Sequence, residues 1–275
     1  MKIIMVTSDY IPNIGGIASH IYNLSKSLQK MGHEVIILRP VQANKFGCEI
    51  ENNVDFPTVY NAQYKKSKSR GFRILGRLYT LVKTFFKIES QYGKIDILHQ
   101  HDYFDSTLFC LILGIKRMWI WTNHTSNFLI DIDSSKLKKT ALKVLHSRSA
   151  GIITVSREIL EKTNLILQNN RSIYIPNGVN TQNFNPAVIG HREKYNLNND
   201  DIVVLCPRRM VPKNGVLFMA QAVSIIQQKN TGFNIRFLFT GNEITSGASD
   251  EYTKQIMSAL APSLKNKSAI LLGNV

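Results

Sequence analysis

The chain has 275 residues, and 34 lysines and arginines against 19 aspartates and glutamates give it a net charge of +15. A hydrophobic share of 44% with 19% charged residues excludes a disordered chain, and the length allows one large domain or two smaller ones. The three cysteines, Cys48, Cys110 and Cys206, fall in no CxxC or closely spaced His/Cys set. This argues against a disulfide scaffold or a structural zinc site and for a reducing compartment.

The opening MKIIMVT is a short apolar run, too short for a signal peptide, and reads as a strand. A helix is expected from about Gly16, then a strand at EVIILR. The densest basic block follows: Lys65, Lys66, Lys68, Arg70, Arg73, Arg77, Lys83 and Lys87, with no acid among them. Within it FRILGRLYTLVKTFFKI places Phe72, Leu75, Leu78, Tyr79, Val82, Phe85 and Phe86 at helical spacing. That pattern fits either a basic amphipathic helix on a membrane surface or a helix packed on a sheet with a solvated basic face.

Strands IDILHQ, MWIWTN, GIITVS and SIYIP come next, with helices expected near Tyr103, Ser134 and Ser156. The stretch from Asn177 to Asp201 is rich in Asn, Asp, Pro and Gly and reads as a linker, with one short helix near Arg192 to Tyr195. Strands IVVLCP, IRFLFTG and AILLG follow, with helices near Gly215 and Asp250. Nearly continuous apolar strands separated by helices predict parallel sheets buried on both faces. The expected architecture is α/β with two Rossmann-like doubly wound domains, residues 1–176 and 201–275, joined by residues 177–200. About six strands are expected in the first domain and three in the second, so the second reads as incomplete, with an apolar strand edge exposed. No run reaches the roughly 18 apolar residues of a membrane-spanning helix, and a soluble cytoplasmic protein is expected. No helix-turn-helix, zinc-finger or RNA-recognition pattern is present, so nucleic acid is not the expected partner of the positive charge.

Ligands of open α/β sheets bind beyond the carboxyl ends of the strands. There, Gly15 and Gly16 open a helix, where backbone can approach a ligand and free N–H groups favour an anion. The spacing lacks GxGxxG, which argues against a dinucleotide enzyme. In the second domain Arg208, Arg209 and Lys213 lie between a strand and a helix start, a placement suited to phosphate oxygens.

Four segments, in order TSDYIPNIGGIASHIYNLSKSLQKMGHEVIIL, DILHQHD, IPNGVNTQNFNP and RRMVPKNGV, resemble the retaining glycosyltransferases of family 4, which have the GT-B fold. The resemblance implies transfer of a sugar from a nucleotide-diphosphate donor, without a metal, to a glycan or lipid-linked acceptor, in cell-envelope or exopolysaccharide assembly. It implies diphosphate binding by Gly16 and by Arg209 or Arg208 with Lys213. It places Gly241 and Val275 at the nucleotide and His124 as the active-site histidine touching the donor sugar. Gly15 and His101 would line the acceptor cleft, while His99 either joins them or faces the core. His33 reads as a turn residue and His20 as a helix-face residue. The basic block Lys65–Lys87 would suit peripheral contact with the inner face of a membrane.

Two departures stand out. Asn214 intervenes between Lys213 and Gly215, leaving Arg208 and Arg209 both open as the partner of Lys213. The family's paired glutamates beyond LLGNV are missing; Glu243 and Glu251 match their spacing in the wrong place, and Asp131 and Asp133 mimic a DxD metal motif, Asp133 being better placed to cap a helix. On this reading the chain is C-terminally truncated and transfers sugar weakly or not at all by itself. Two alternatives stay open: a nucleotide-sugar epimerase of the same architecture, and a non-catalytic module binding membranes or polyanions.

Overall fold

A computed structural model describes residues 1–13, 15–53, 56–102, 106–124, 136–168, 171–187, 190–229, 232–241 and 250–273. The chain divides into two compact units, Met1–Phe184 and Asn185–Val275, the division falling inside the expected linker.

The first unit is built on β1 (Lys2–Val6), β2 (Glu34–Ala43), β3 (Gly47–Asn53), β4 (Phe56–Lys65), β5 (Ile97–Gln100), β6 (Met118–Asn123), β7 (Gly151–Thr154) and β8 (Ser172–Tyr174). They form one sheet in the order β3-β4-β2-β1-β5-β6-β7-β8. Both faces are buried, and the alternation of β1 and β2 shows how. Ile4, Val6, Ile36 and Leu38 pack with Leu81, Phe85 and Phe109 on one side, while Ile3, Met5, Val35 and Ile37 pack with Tyr10 and Ile21 on the other.

Two strands, β3 and β4, depart from the expected count of about six. They form an antiparallel pair, so the sheet is mostly rather than wholly parallel. Glu49 accepts from Gln63, and Glu51 from Asn61, across the pair. Cross-strand polar pairs of this kind stabilise an edge strand without the apolar run that announces an interior one.

The helices of this unit are α1 (Gly16–Lys30), α2 (Arg70–Tyr92), α3 (Thr107–Leu113), α4 (Lys136–His146) and α5 (Arg157–Leu167). In α2, Leu81, Phe85 and Ile88 enter the core. Leu78, Val82 and Tyr92 pack against it partly buried, whereas Phe72 is 73% exposed, and Leu75, Tyr79 and Phe86 are exposed as well. Glu89 near its end takes a bidentate ion pair from Arg117, whose Nη2 lies 2.8 and 2.7 Å from the two carboxylate oxygens.

In the second unit β9 (Ile202–Cys206), β10 (Ile235–Thr240) and β11 (Ala269–Gly273) form a parallel sheet in the order β11-β10-β9. Phe237 and Phe239 of β10 pack with Val216, Ala220 and Val223 of α6 (Val216–Gln228) and with Ile256 and Leu260 of α7 (Asp250–Lys265). Ile202 and Leu205 of the edge strand β9 are exposed. A 3-10 turn at Glu193–Tyr195 is the short helix expected there.

Candidate functional site

Asp102, just past β5, ties the loop after β1 to the loop after β5 and to Trp121 within β6. Its Oδ1 accepts from the Ser8 amide at 2.7 Å and the Ser8 hydroxyl at 2.8 Å, and its Oδ2 accepts from the Ser106 hydroxyl at 2.7 Å. Its carbonyl accepts from Gln100 Nε2 and Trp121 Nε1. A buried carboxylate with this many donors is a fixed structural anchor, and it holds the His101 loop in place.

Four imidazoles gather at this edge. His101, just past β5, lies with Nδ1 3.0 Å from Nε2 of His124, just past β6. His20, one turn into α1, meets the His124 ring edge-on at 4.7 Å between centroids and the His101 ring at 5.8 Å. His99 lies against His101 at 4.1 Å, but its Nε2 is bonded to the Thr122 hydroxyl at 2.7 Å. Of the two positions open to His99, the structure selects the core. His101 Nε2 lies 3.1 Å from the Met5 sulfur.

Burial drives every one of these imidazoles toward the neutral form. His99 and His124 are pushed down to about 3, and His101 well below its ordinary value, with mutual repulsion adding to burial. His20 is lowered by burial against an opposing contact with Asn177. A protonated member would lack solvent and face three potential cations, so the cluster works as a set of lone pairs and neutral donors.

His101 and His124 stand where the sequence pattern puts them, and Gly15 and Gly16 at the start of α1. A Cβ on Gly16 would meet nothing within 4 Å, so room exists above it, whereas one on Gly15 would reach Asp9 Oδ2 at 3.4 Å. The sequence pattern makes His20 an ordinary helix-face residue, and the fold corrects that. The signal for its role is its place one turn into the helix that follows the first strand, which brings it to the carboxyl edge of the sheet. His20 also lines a cavity of about 620 Å³ with Lys26, Lys30, Ile175, Pro176 and residues 178–183.

In the second unit Arg208, Arg209 and Lys213 are all exposed, on the loop between β9 and α6. Lys213 sits in a 3-10 turn, Pro212–Asn214, and Gly215 ends that turn with a φ of +69°. Asn214 Nδ2 donates to the Arg209 carbonyl at 2.9 Å, so the residue that interrupts the family spacing braces the loop. Gly241 packs behind it: a Cβ there would lie 2.9 Å from the Arg208 carbonyl oxygen, at a φ of +99°. Val275, Asp131, Asp133 and Glu243 lie outside the described residues, and Glu251 is an exposed residue of α7.

On α2 the exposed Phe72, Leu75, Tyr79 and Phe86 stand among Arg70, Arg73, Lys83 and Lys87. A cavity of about 590 Å³ between α2 and β3 is lined by Phe46, Cys48, Tyr79, Lys83 and Lys87 among others. Among the described residues no helix is long and apolar enough to cross a membrane.

Two parallel α/β units in one chain, each with polar groups at the carboxyl ends of its strands, define a fold of the GT-B class. The structure of sucrose-phosphate synthase from Thermosynechococcus elongatus superposes with a TM-score of 0.72 at 16% identity, covering 100% of this chain and 70% of that one. Residues 14–183 match Glycosyltransferase Family 4, and the chain belongs to that family. Among curated relatives, a phosphatidylinositol N-acetylglucosaminyltransferase subunit of Arabidopsis thaliana is 25% identical over 267 residues, 88% of this chain and 52% of the relative. Alpha-monoglucosyldiacylglycerol synthase of Acholeplasma laidlawii is 21% identical over 262 residues, 88% of this chain and 63% of the relative. The chain thus spans about half to two thirds of the length of these relatives.

Proposed function

We propose that this chain belongs to a retaining glycosyltransferase that moves a sugar from a nucleotide-diphosphate donor to a lipid-linked or glycan acceptor, in cell-envelope or exopolysaccharide assembly. The observation that carries the reading is the braced cationic loop at Arg208–Lys213 in a member of this family. Charge developing on the diphosphate as the sugar leaves is the main electrostatic demand of the reaction, and fixed guanidinium and ammonium groups meet it. No metal is then needed for the transfer itself. Gly16 and Gly241 allow backbone to approach the donor, Val275 belongs to the nucleotide site, His124 meets the donor sugar, and Gly15 and His101 belong to the acceptor side.

Lipid acceptors are supported by the relatives' names and by the surface of α2. Exposed aromatics among lysines and arginines suit an anionic bilayer, each basic residue contributing about 1 kcal/mol near such a surface. The protein is accordingly placed in the cytoplasm, peripherally on the inner face of the membrane.

Calorimetric titration with UDP-, GDP- and ADP-sugars tests the reading. One nucleotide sugar is expected to bind saturably and more tightly than its bare nucleotide, with His124→Ala removing the difference. A folded chain that binds none of them contradicts the proposal.

A further inference from the structure

We propose that His20, His101 and His124 form a binding site for one divalent transition-metal ion of the zinc class. One ligand nitrogen from each of the three lies within 4.8 Å of the others. Zinc bound by imidazoles at about 2.0–2.1 Å sets ligand nitrogens roughly 3.4 Å apart in a tetrahedral site. The pair formed by His101 Nδ1 and His124 Nε2 is already at 3.0 Å. Small rotations of His20 and His124, both only partly buried, close the rest.

The surroundings assign the tautomers. His101 Nε2 faces the Met5 sulfur at 3.1 Å, a weak acceptor, which makes Nδ1 the lone-pair nitrogen. Without an ion it accepts from His124 Nε2–H, and an ion replaces that proton as His124 shifts to its other tautomer. Supporting contacts of this kind fix the ring that ligates. His99 is committed to Thr122 and serves as a wall rather than a ligand. His20 Nε2 is buried and meets no hydrogen-bond partner among the described residues, and in the Nδ1–H tautomer its lone pair is one that an ion would satisfy. Nitrogen donors without a carboxylate or thiolate favour zinc, cobalt, nickel or copper over magnesium or calcium. The cavity lined by His20 gives an ion a way to that ring.

The site shares His101 and His124 with the groups proposed above for acceptor and donor sugar, although the transfer itself uses no metal. One consequence does rest on that proposal: an ion on His124 would take the group assigned to the donor sugar, so zinc and donor would exclude one another.

Cobalt(II) titration of the purified chain, followed in the visible region and then displaced by zinc, is the test. The expected result is one equivalent bound with the intense bands of tetrahedral cobalt. His20→Gln and His124→Gln should each weaken binding by more than about 100-fold, above the roughly 10–100-fold typical of losing a supporting residue. His33→Gln, at the turn before β2, should change nothing, and far-UV circular dichroism checks that the variants fold. The wild-type spectrum needs no variant, so a folding failure leaves the test intact. Octahedral cobalt only, no binding, or unchanged affinity in both variants would overturn the proposal. The readout involves no nucleotide sugar, so its failure and that of the transferase reading are distinguishable.

Discussion

The imidazole cluster of the first unit and the Arg208–Lys213 loop of the second both lie past the carboxyl ends of parallel strands, yet they treat charge in opposite ways. His99 and His101 are buried and their neighbours half-buried, so all are held neutral. Arg208, Arg209 and Lys213 are exposed, and Asn214 and Gly241 fix the backbone beneath them. A buried neutral pocket discriminates by shape and hydrogen bonding, whereas an exposed cationic loop attracts anions at a distance. The difference predicts that the two regions fail under different insults.

The largest effect is expected from removing the cations. Arg209→Ala/Lys213→Ala deletes two charge-assisted contacts of about 1.5–3 kcal/mol each, so nucleotide-sugar affinity should fall more than about 100-fold by calorimetry. Both side chains are exposed, so the melting temperature should not move; retained affinity would break the assignment of the loop.

Next comes the backbone beneath that loop. Gly241→Ala sets a Cβ 2.9 Å from the Arg208 carbonyl oxygen at a φ of +99°. A cost of about 2 kcal/mol is expected in denaturant unfolding of the second unit. An unaltered midpoint would mean that the loop is not braced from behind.

Acid should act on the first unit. His146 is stacked on Trp121 at 3.8 Å, and neither of its ring nitrogens finds a hydrogen-bond partner among the described residues. Burial lowers its pKa to about 3, against about 6.5 in the unfolded chain. Between these values the unfolded state binds more protons. The contribution to stability is therefore complete above pH 6.5 and is lost as pH falls toward 3, by about 1.4 kcal/mol per unit. Unfolding monitored at the tryptophans, both of which lie in the first unit, should show at least this slope, because burial lowers His99, His101 and His124 in the same way, and His146→Phe should reduce it by one histidine's share. Neither tryptophan and none of these buried histidines lies in the second unit.

The smallest effect is expected at the end of α2. Glu89→Gln leaves Arg117 partly buried without its carboxylate and should cost about 1–2 kcal/mol in the same unfolding measurement, with no change in nucleotide affinity.

Much of this architecture is legible from apolar runs alone. MWIWTN and AILLG are strands to the residue, because strands buried on both faces announce themselves. β3 and β4 are not legible: β3 is a polar edge strand whose Glu49 and Glu51 bond to Gln63 and Asn61, and in the interior β4 those two polar residues interrupt the buried Val59, Tyr60, Ala62 and Tyr64. The helical period of α2 is visible, but not which apolar residues it buries. Phe85 and Phe86 are adjacent, and one is in the core while the other is exposed. In the site, His101 and His124 are visible because each ends a strand. His20 is not, because its role depends on three segments converging from about a hundred residues of sequence. Cysteine and histidine spacing argues against a structural zinc site in this chain, but that argument reaches only sites made by neighbours in sequence.

Chemical-shift mapping of UDP on the nitrogen-15-labelled chain reads the assignment of the cationic loop residue by residue. The largest amide shifts are expected at Arg208 to Val216 and at Gly241, weakening as salt is raised. Shifts confined to the first unit, or none at all in a folded chain, would contradict that assignment.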